Sequence, residues 1–331
     1  MPVIDSDYLF WMNGRLATGL AEISHDPSCL DDGGFWAVTT TFEAEFTAAR
    51  FSQVVESEFP VHLWQELSGN WKSSKSKSEY MDYVHSIQSA IADGWVYQVN
   101  ACRELSTNLP DDRNLRGLFS KILRENPAPW ASYLEIPGVN IASASPELFL
   151  ARKASHIKTS PIKGTQLPGQ EHFGAKDIAE NVMIVDLMRN DFGEICKSGS
   201  VSVPRLLDSE THPGLVHLVS DIEGELLNDI SWSEIFTALS PPGSISGAPK
   251  SSALSVIDNN ELKRGPYCGF LGWVNDDQCE LSVAIRIFFK DSALRFGTGA
   301  GITWGSSASE EWEETELKAR RLISIAGGVL P

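Results

Sequence analysis

Between residues 270 and 296 the chain reads as three strands in immediate succession. Residues 270–274 stop at Asn275-Asp276-Asp277, residues 281–289 follow, and Lys290-Asp291-Ser292 turns the chain into 294–296. A parallel crossover takes about a dozen residues or more, so connections this short make an antiparallel meander. A further strand reads at 140–151 and carries Ser145-Pro146-Glu147. Helical spacing appears at 80–93 (Tyr80, Val84, Ile87, Ile91) and at 176–189, where Ile178, Val182 and Val185 share one stripe. A last helix begins near Ser307: Ser307 and Glu310 fit a capping box, acids fill the first turns, and Gly327 is its stop. The polar run Ser68 to Glu79 reads as an exposed loop that divides an N-terminal part, 1–79, from a longer patterned part, 80–326. Strand meanders with intervening helices, without regular βαβ alternation, give an α+β class.

The 331 residues are compatible with one large domain. A net charge of −17 excludes nucleic acid and anionic membrane surfaces as partners, because both need a basic face. It leaves room for a small anionic substrate, if a metal and a few Lys or Arg converge inside the acidic shell. Met1 to Gly14 has no basic stretch followed by an apolar core, and no apolar run is long enough to span a membrane. Five scattered cysteines without CxxC pairs argue for a reducing cytoplasm and against a disulfide framework or zinc.

Two acidic pairs are spaced for chemistry. Asp177 and Glu180 lie three apart on one helix, Glu311 and Glu314 on another, so each pair shares a helix face. Facing each other, they would make an oxygen-rich site suited to Mg²⁺; alone, each pair merely complements a helix dipole. Lys318 follows Glu314 at the spacing of an i,i+4 salt bridge. Arg286 interrupts an apolar strand, where a charge must be paired or serve a site. Gly297-Thr298-Gly299-Ala300-Gly301 is no dinucleotide fingerprint, since no βαβ unit follows; a carboxylate-binding backbone and a plain tight turn both remain open. Pro161-Ile162-Lys163-Gly164-Thr165 holds a lysine in a stiff frame, where desolvation can lower its pKa and make it a nucleophile. Glu147 suits a general acid if burial raises its pKa.

Taken in order, DGWVYQVN (93–100), SPELFL (145–150), PIKGT (161–165), KDIAENVMIVDLMRND (176–191), GSV (199–201), VHLVS (216–220), PPGSISGAPK (241–250), CGFLGW (268–273), AIR (284–286), GTGAGI (297–302) and EEWEETELK (310–318) form one series. From about Tyr80 to Ala326 the chain resembles the chorismate-utilising enzymes: anthranilate, aminodeoxychorismate, isochorismate and salicylate synthases. The resemblance implies two large antiparallel sheets packed as a core with helices outside. It implies Mg²⁺ held by Glu180 and Glu314, with Asp177 and Glu311 in support. Arg286 and the backbone of Gly299, Ala300 and Gly301 would take the enolpyruvyl carboxylate near Tyr267. Gln98, Thr165, His217, Ser244 and Lys318 would line the pocket, and Glu147 would protonate the departing C4 hydroxyl.

Two positions choose a branch by the same resemblance. Water-activating relatives carry lysine where this chain has Gln98, and anthranilate synthases typically carry alanine where it has Lys163. Lys163 is therefore expected to attack C2 of chorismate and ammonia to attack C4, which is the aminodeoxychorismate branch. Anthranilate formation with release of pyruvate, and a non-catalytic chorismate-binding subunit, are the alternatives. No Gly-x-Cys-x-Gly turn of a glutamine amidotransferase occurs in the chain, so ammonia is expected from a separate glutaminase subunit. The N-terminal part is shorter than in full-length members, and their Leu-Leu-Glu-Ser motif has no counterpart. The loop Gln166-Leu167-Pro168-Gly169 departs from the family pattern as well.

Overall fold

The computed structural model describes residues 7–166, 169, 173–212 and 215–331; Leu167 and Pro168 of the departing loop lie outside them. Among the described residues, eighteen strands form one continuous antiparallel sheet whose order resolves into two halves. One half runs Gln98–Thr107, Leu294–Ile302, Ile287–Lys290, Val139–Ser145, Trp130–Ile136 and Leu9–Met12. The other runs Arg15–Ser24, Phe46–Glu56, Phe35–Thr40, Phe270–Asn275, Gln278–Val283, Leu148–Lys153, His156–Ser160 and Leu215–Glu225. The hairpin of Leu9–Met12 with Arg15–Ser24 joins them edge to edge. The helices are α1 (Lys77–Ala92), α2 (Arg116–Glu125), α3 (Ala175–Ile195), α4 (Trp232–Leu239), the single turn α5 (Gly243–Ser246), α6 (Lys250–Asn260) and α7 (Ala308–Ala326).

Strand alternation distributes the apolar residues. Ile287 and Phe289 point into the larger core, which both halves share with α1, α3 and α4, while Phe288 between them points to a second core under α2 and α7. Each fully buried phenylalanine stabilises by about 1.5–3 kcal/mol, enough to make the register costly to shift. Two helix starts are written in local chemistry: Ser76 with Glu79 caps α1, and Ser231 with Glu234 caps α4, each a reciprocal capping box.

Several expectations are corrected. Residues 281–289 are two strands, broken at 284–286, and Arg286 sits in the break at φ 55°. The segment 297–301 is strand interior, paired from Gly297 with Glu104 to Gly301 with Asn100, and makes no turn. The polar run after Ser68 hides Trp71, which is 1% exposed and donates its indole N–H to Gly327 O at 3.0 Å. Ile178 and Val182 face solvent on α3; the buried stripe runs through Glu180, Asn181, Ile184, Val185 and Met188. Ser307 precedes α7 but makes no side-chain cap.

Candidate active site

A bulge between Ile162 and Thr165, with Gly164 at φ 82°, turns Lys163 inward from its strand. Its ammonium is 2.9 Å from Glu180 Oε1 and donates to Ser244 O at 2.7 Å. Lys163, Glu180 and Ser244 are all buried. Burial favours the neutral amine, but Glu180, with Glu147 and Glu314 behind it, outweighs that and raises the pKa of Lys163. The expected lowering is thus reversed while the ion pair with Glu180 is closed. Gln98 Nε2 donates to the same Glu180 oxygen at 2.5 Å.

Glu147 is 3% exposed, at the start of a strand and beside Lys163 and Ser244. Burial pushes its carboxyl up to about 7; the Ser244 hydroxyl and the charge of Lys163 keep it from going higher. Ser244 therefore touches both candidate catalytic groups, with its carbonyl on Lys163 and its hydroxyl on Glu147. A buried carboxyl that still holds its proton about half the time at pH 7 is suited to donating it.

The acids of α3 and α7 meet lysines. Lys176 pairs with Glu311 across the two helices, and Lys318 Nζ lies 2.6 Å from Glu314 Oε1 and 2.9 Å from Gly299 O. Burial raises Glu311 against the pull of Lys176, whereas Lys318, Lys176 and Lys163 overcome burial at Glu314 and lower its pKa. Asp177 accepts the Gly174 N–H at 3.1 Å, so it caps its own helix. Among the described residues no three His, Cys, Asp or Glu side chains are already gathered around a common point. The donor set nevertheless fits a hard divalent cation. It is all oxygen, the acids of the two helices repel one another, and the buried Glu311 Oε2 has no hydrogen-bond partner.

Arg286 reaches the same region from the strand break. Its Nη1 donates to Lys318 O at 3.3 Å, and among the described residues it has no carboxylate partner. Burial lowers its pKa, opposed by the charges of Tyr267 and Glu314. The glycines beside it permit close approach. A Cβ at Gly301 would run into Glu180 Oε1 and Gln98 Nε2, and one at Gly297 into the ring of Tyr267. Ala300 is fully buried in the same strand. His217 is buried opposite Thr165 in the strand pair beyond Lys163.

The expected residues thus come from ten segments of the chain, and contacts tie Gln98, Glu147, Lys163, Glu180 and Ser244 into one cluster. Sequence reading missed Lys176, which neutralises Glu311, although a base in the first turn of a helix is an oddity that signals a partner elsewhere. It also missed the double contact of Ser244.

A family model described as chorismate binding enzyme matches residues 36–324. The chain belongs to the chorismate-binding enzymes. Member sequences of two kinds are about equally similar. The chain is 35% identical over 274 residues to anthranilate synthase component 1 3 of Haloarcula marismortui, covering 78% of this chain and 54% of that one. It is 33% identical over 289 residues to aminodeoxychorismate synthase component 1 of Salmonella typhimurium, covering 83% and 63%. It therefore spans less than two thirds of the length of these relatives. The fold of this chorismate-binding enzyme matches a putative 2,3-dihydroxybenzoate-specific isochorismate synthase of Bacillus anthracis with a TM-score of 0.83, at 20% identity over 97% of this chain and 96% of that one. Anthranilate synthase component I of Streptococcus pneumoniae gives a TM-score of 0.78 at 19% identity, covering 98% and 93%.

Proposed function

We propose that this chain is the synthase component that converts chorismate and ammonia to 4-amino-4-deoxychorismate, with the ammonia supplied by a separate glutaminase. The observation that carries the reading is the buried Lys163, held within reach of both Glu180 and the Glu147–Ser244 pair. An acid beside a buried amine fits a substitution in which the amine attacks while the acid protonates the leaving group. Lys163 must give up its proton and its ion pair with Glu180 before it acts. Its amine then bonds to C2 as the ring double bond shifts and the C4 hydroxyl leaves with the proton of Glu147. Ammonia attacks C4, the double bond returns, and the C2–nitrogen bond breaks to release Lys163. The sum is chorismate plus ammonia giving aminodeoxychorismate plus water.

Chorismate brings two carboxylates. Arg286, without a carboxylate partner among the described residues, suits the enolpyruvyl carboxylate, beside the backbone of Gly299 to Gly301. Glu180 and Glu314, supported by Asp177 and Glu311, would hold Mg²⁺, which when bound supplies positive charge for the ring carboxylate. That part of the reading is tested by titrating Mg²⁺ into wild type and Glu314→Gln and measuring binding calorimetrically; equal binding by both would reject it.

The comparably similar anthranilate synthase relatives supply the second reading, release of anthranilate and pyruvate. Two measurements separate the readings. Intact mass of the chain with chorismate and Mg²⁺, without ammonia, should show a covalent adduct that Lys163→Ala lacks. With ammonium salts, wild type should form the 4-amino product and no pyruvate. Undiminished 4-amino product from Lys163→Ala would remove the covalent role. Pyruvate in step with chorismate loss would favour the anthranilate reading.

A further inference from the structure

Three of the acids carried by α3 and α7 are each engaged by a lysine. Lys163 lies 2.9 Å from Glu180, Lys318 lies 2.6 Å from Glu314, and Lys176 pairs with Glu311. A divalent cation taken up by these carboxylates has to compete with the ammoniums on them, and the three lysines are not equally hard to move. Lys163 is buried and also donates to Ser244 O at 2.7 Å, and Lys318 also donates to Gly299 O at 2.9 Å. Among the described residues, Lys176 has Glu311 as its one hydrogen-bond or ion-pair partner. Its side chain is 35% exposed, so its ammonium can swing into water without any other bond being broken.

Lys176 is placed for Glu311 and against the preference of its own helix. It stands in the first turn of α3, where the positive end of the helix dipole disfavours a cation. Its pair with Glu311 is the one hydrogen bond or ion pair, among the described residues, that joins α3 to α7. Glu311 in turn is 2% exposed; Lys176 takes its Oε1, and among the described residues Oε2 has no hydrogen-bond partner. A carboxylate buried this deeply with one oxygen unanswered calls for more positive charge than one partly exposed lysine supplies.

Resting on the reading of these acids as Mg²⁺ ligands, we propose that Lys176 is a tethered counter-ion, which clasps α3 to α7 through Glu311 and swings out to solvent when a divalent cation takes that carboxylate. The clasp has two consequences. Glu311 stays neutralised whether or not a metal is bound, so a metal can leave and return without the two helices coming apart. The price is affinity: a unit positive charge within about 6 Å of a divalent ion weakens its binding roughly tenfold or more.

The test uses the full chain. Mg²⁺ is titrated calorimetrically into wild type, Lys176→Met and Lys176→Arg. The Met variant should bind roughly tenfold tighter or more, and the Arg variant, which keeps the charge, no tighter than wild type. In EDTA, Lys176→Met should melt a few degrees below wild type, and saturating Mg²⁺ should raise its midpoint by more than it raises that of wild type. Footprinting of wild type needs no variant. Acylation of Lys176, read by peptide mass mapping, should be several-fold faster in Mg²⁺ than in EDTA, while the exposed Lys153 is labelled equally in both. Lys176 labelling that Mg²⁺ leaves unchanged would overturn the proposal. So would a Lys176→Met affinity no higher than that of wild type or matched by Lys176→Arg, or a Lys176→Met protein that melts like wild type in EDTA. Failure of the metal reading itself looks different. If wild type binds Mg²⁺ and Glu314→Gln does not, the ligand set stands whatever Lys176 does. If neither wild type nor Lys176→Met binds Mg²⁺, the ligand set falls and the counter-ion with it.

Discussion

Two arginines, the buried Arg264 and the half-buried Arg286, are treated in opposite ways. Arg264 donates from Nε to Glu261 Oε2 at 2.8 Å, from Nη2 to Glu261 Oε1 at 3.0 Å and Asn100 O at 2.7 Å, and from Nη1 to Ile245 O at 3.0 Å. Its guanidinium lies 4.2 Å above the ring of Phe42. Burial works against its charge, but Glu261 and the neighbouring thiols outweigh it, and its pKa rises well above the ordinary value. Among the described residues Arg286 has one backbone acceptor, and burial lowers its pKa. A cation with every nitrogen answered ties strands and loops together. A cation left short is kept for something that arrives.

The largest effect should come from breaking the satisfied arginine. Arg264→Met leaves Glu261 buried without its cation and should cost about 3–5 kcal/mol of folding stability, read from urea melts. If Arg264→Met melts like wild type, the contrast between the two arginines is lost. Glu147 offers the next effect: it is buried, and among the described residues its Oε1 makes no hydrogen bond. Its pKa rises on folding from the usual 4.5 to about 7, so the folded state holds this proton more tightly than the unfolded. The stability it contributes is complete below pH 4.5 and is lost as pH rises through about 7. Glu147→Gln, neutral throughout, should match wild type near pH 4 and exceed it by roughly 3 kcal/mol near pH 8. The same variant should lose turnover, since it has no proton to give. Parallel pH–stability curves for the two proteins would show that burial is not what governs this carboxyl.

Arg286→Met should reverse the pattern of Arg264→Met. Losing a charge-assisted bond to a substrate carboxylate should lower kcat/KM by about 1.5–3 kcal/mol, mainly through KM, with stability unchanged or higher. A loss of stability as large as that of Arg264→Met would make Arg286 structural. The smallest effect compares helix starts. Ser76→Ala breaks a closed capping box and should cost about 1 kcal/mol, whereas Ser307→Ala should cost no more than a few tenths. Thermal melts at one pH decide between them.

What the sequence made legible, and what it hid, follows the same division. Period and turn chemistry located the 270–296 meander and α1, α3 and α7, because those signals are local. Side chains that depend on distant partners were misread. The glycines at 297–301 looked like a turn because nothing nearby shows that Tyr267, Cys102 and Glu180 occupy the space of their missing side chains. Arg286 was rightly singled out as out of place, but the strand break beneath it was invisible, since Ala284 and Ile285 suit a strand well. The expected lowering of the Lys163 pKa followed from burial alone; its reversal depends on a carboxylate seventeen residues on, whose approach only the fold fixes. Ile178 and Val182 kept the helical period but on the outward side, where periodicity cannot distinguish core from surface.

The hairpin that welds the two half-sheets also governs how the chain can come into being. Leu9–Met12 needs Trp130–Ile136 as its neighbour, and Phe35–Thr40 needs Phe270–Asn275, with Thr39 opposite Leu271. At about 5–20 residues per second, a ribosome takes on the order of ten to fifty seconds to deliver the second partner after the first. Through that interval the nascent chain carries Trp36 and Val38 on an unpaired strand edge, the kind of surface that seeks other chains. Productive assembly therefore waits on Phe270–Asn275 and is dominated by distant pairings, which makes it slow. The early strands are the segment that holdase chaperones have most reason to cover.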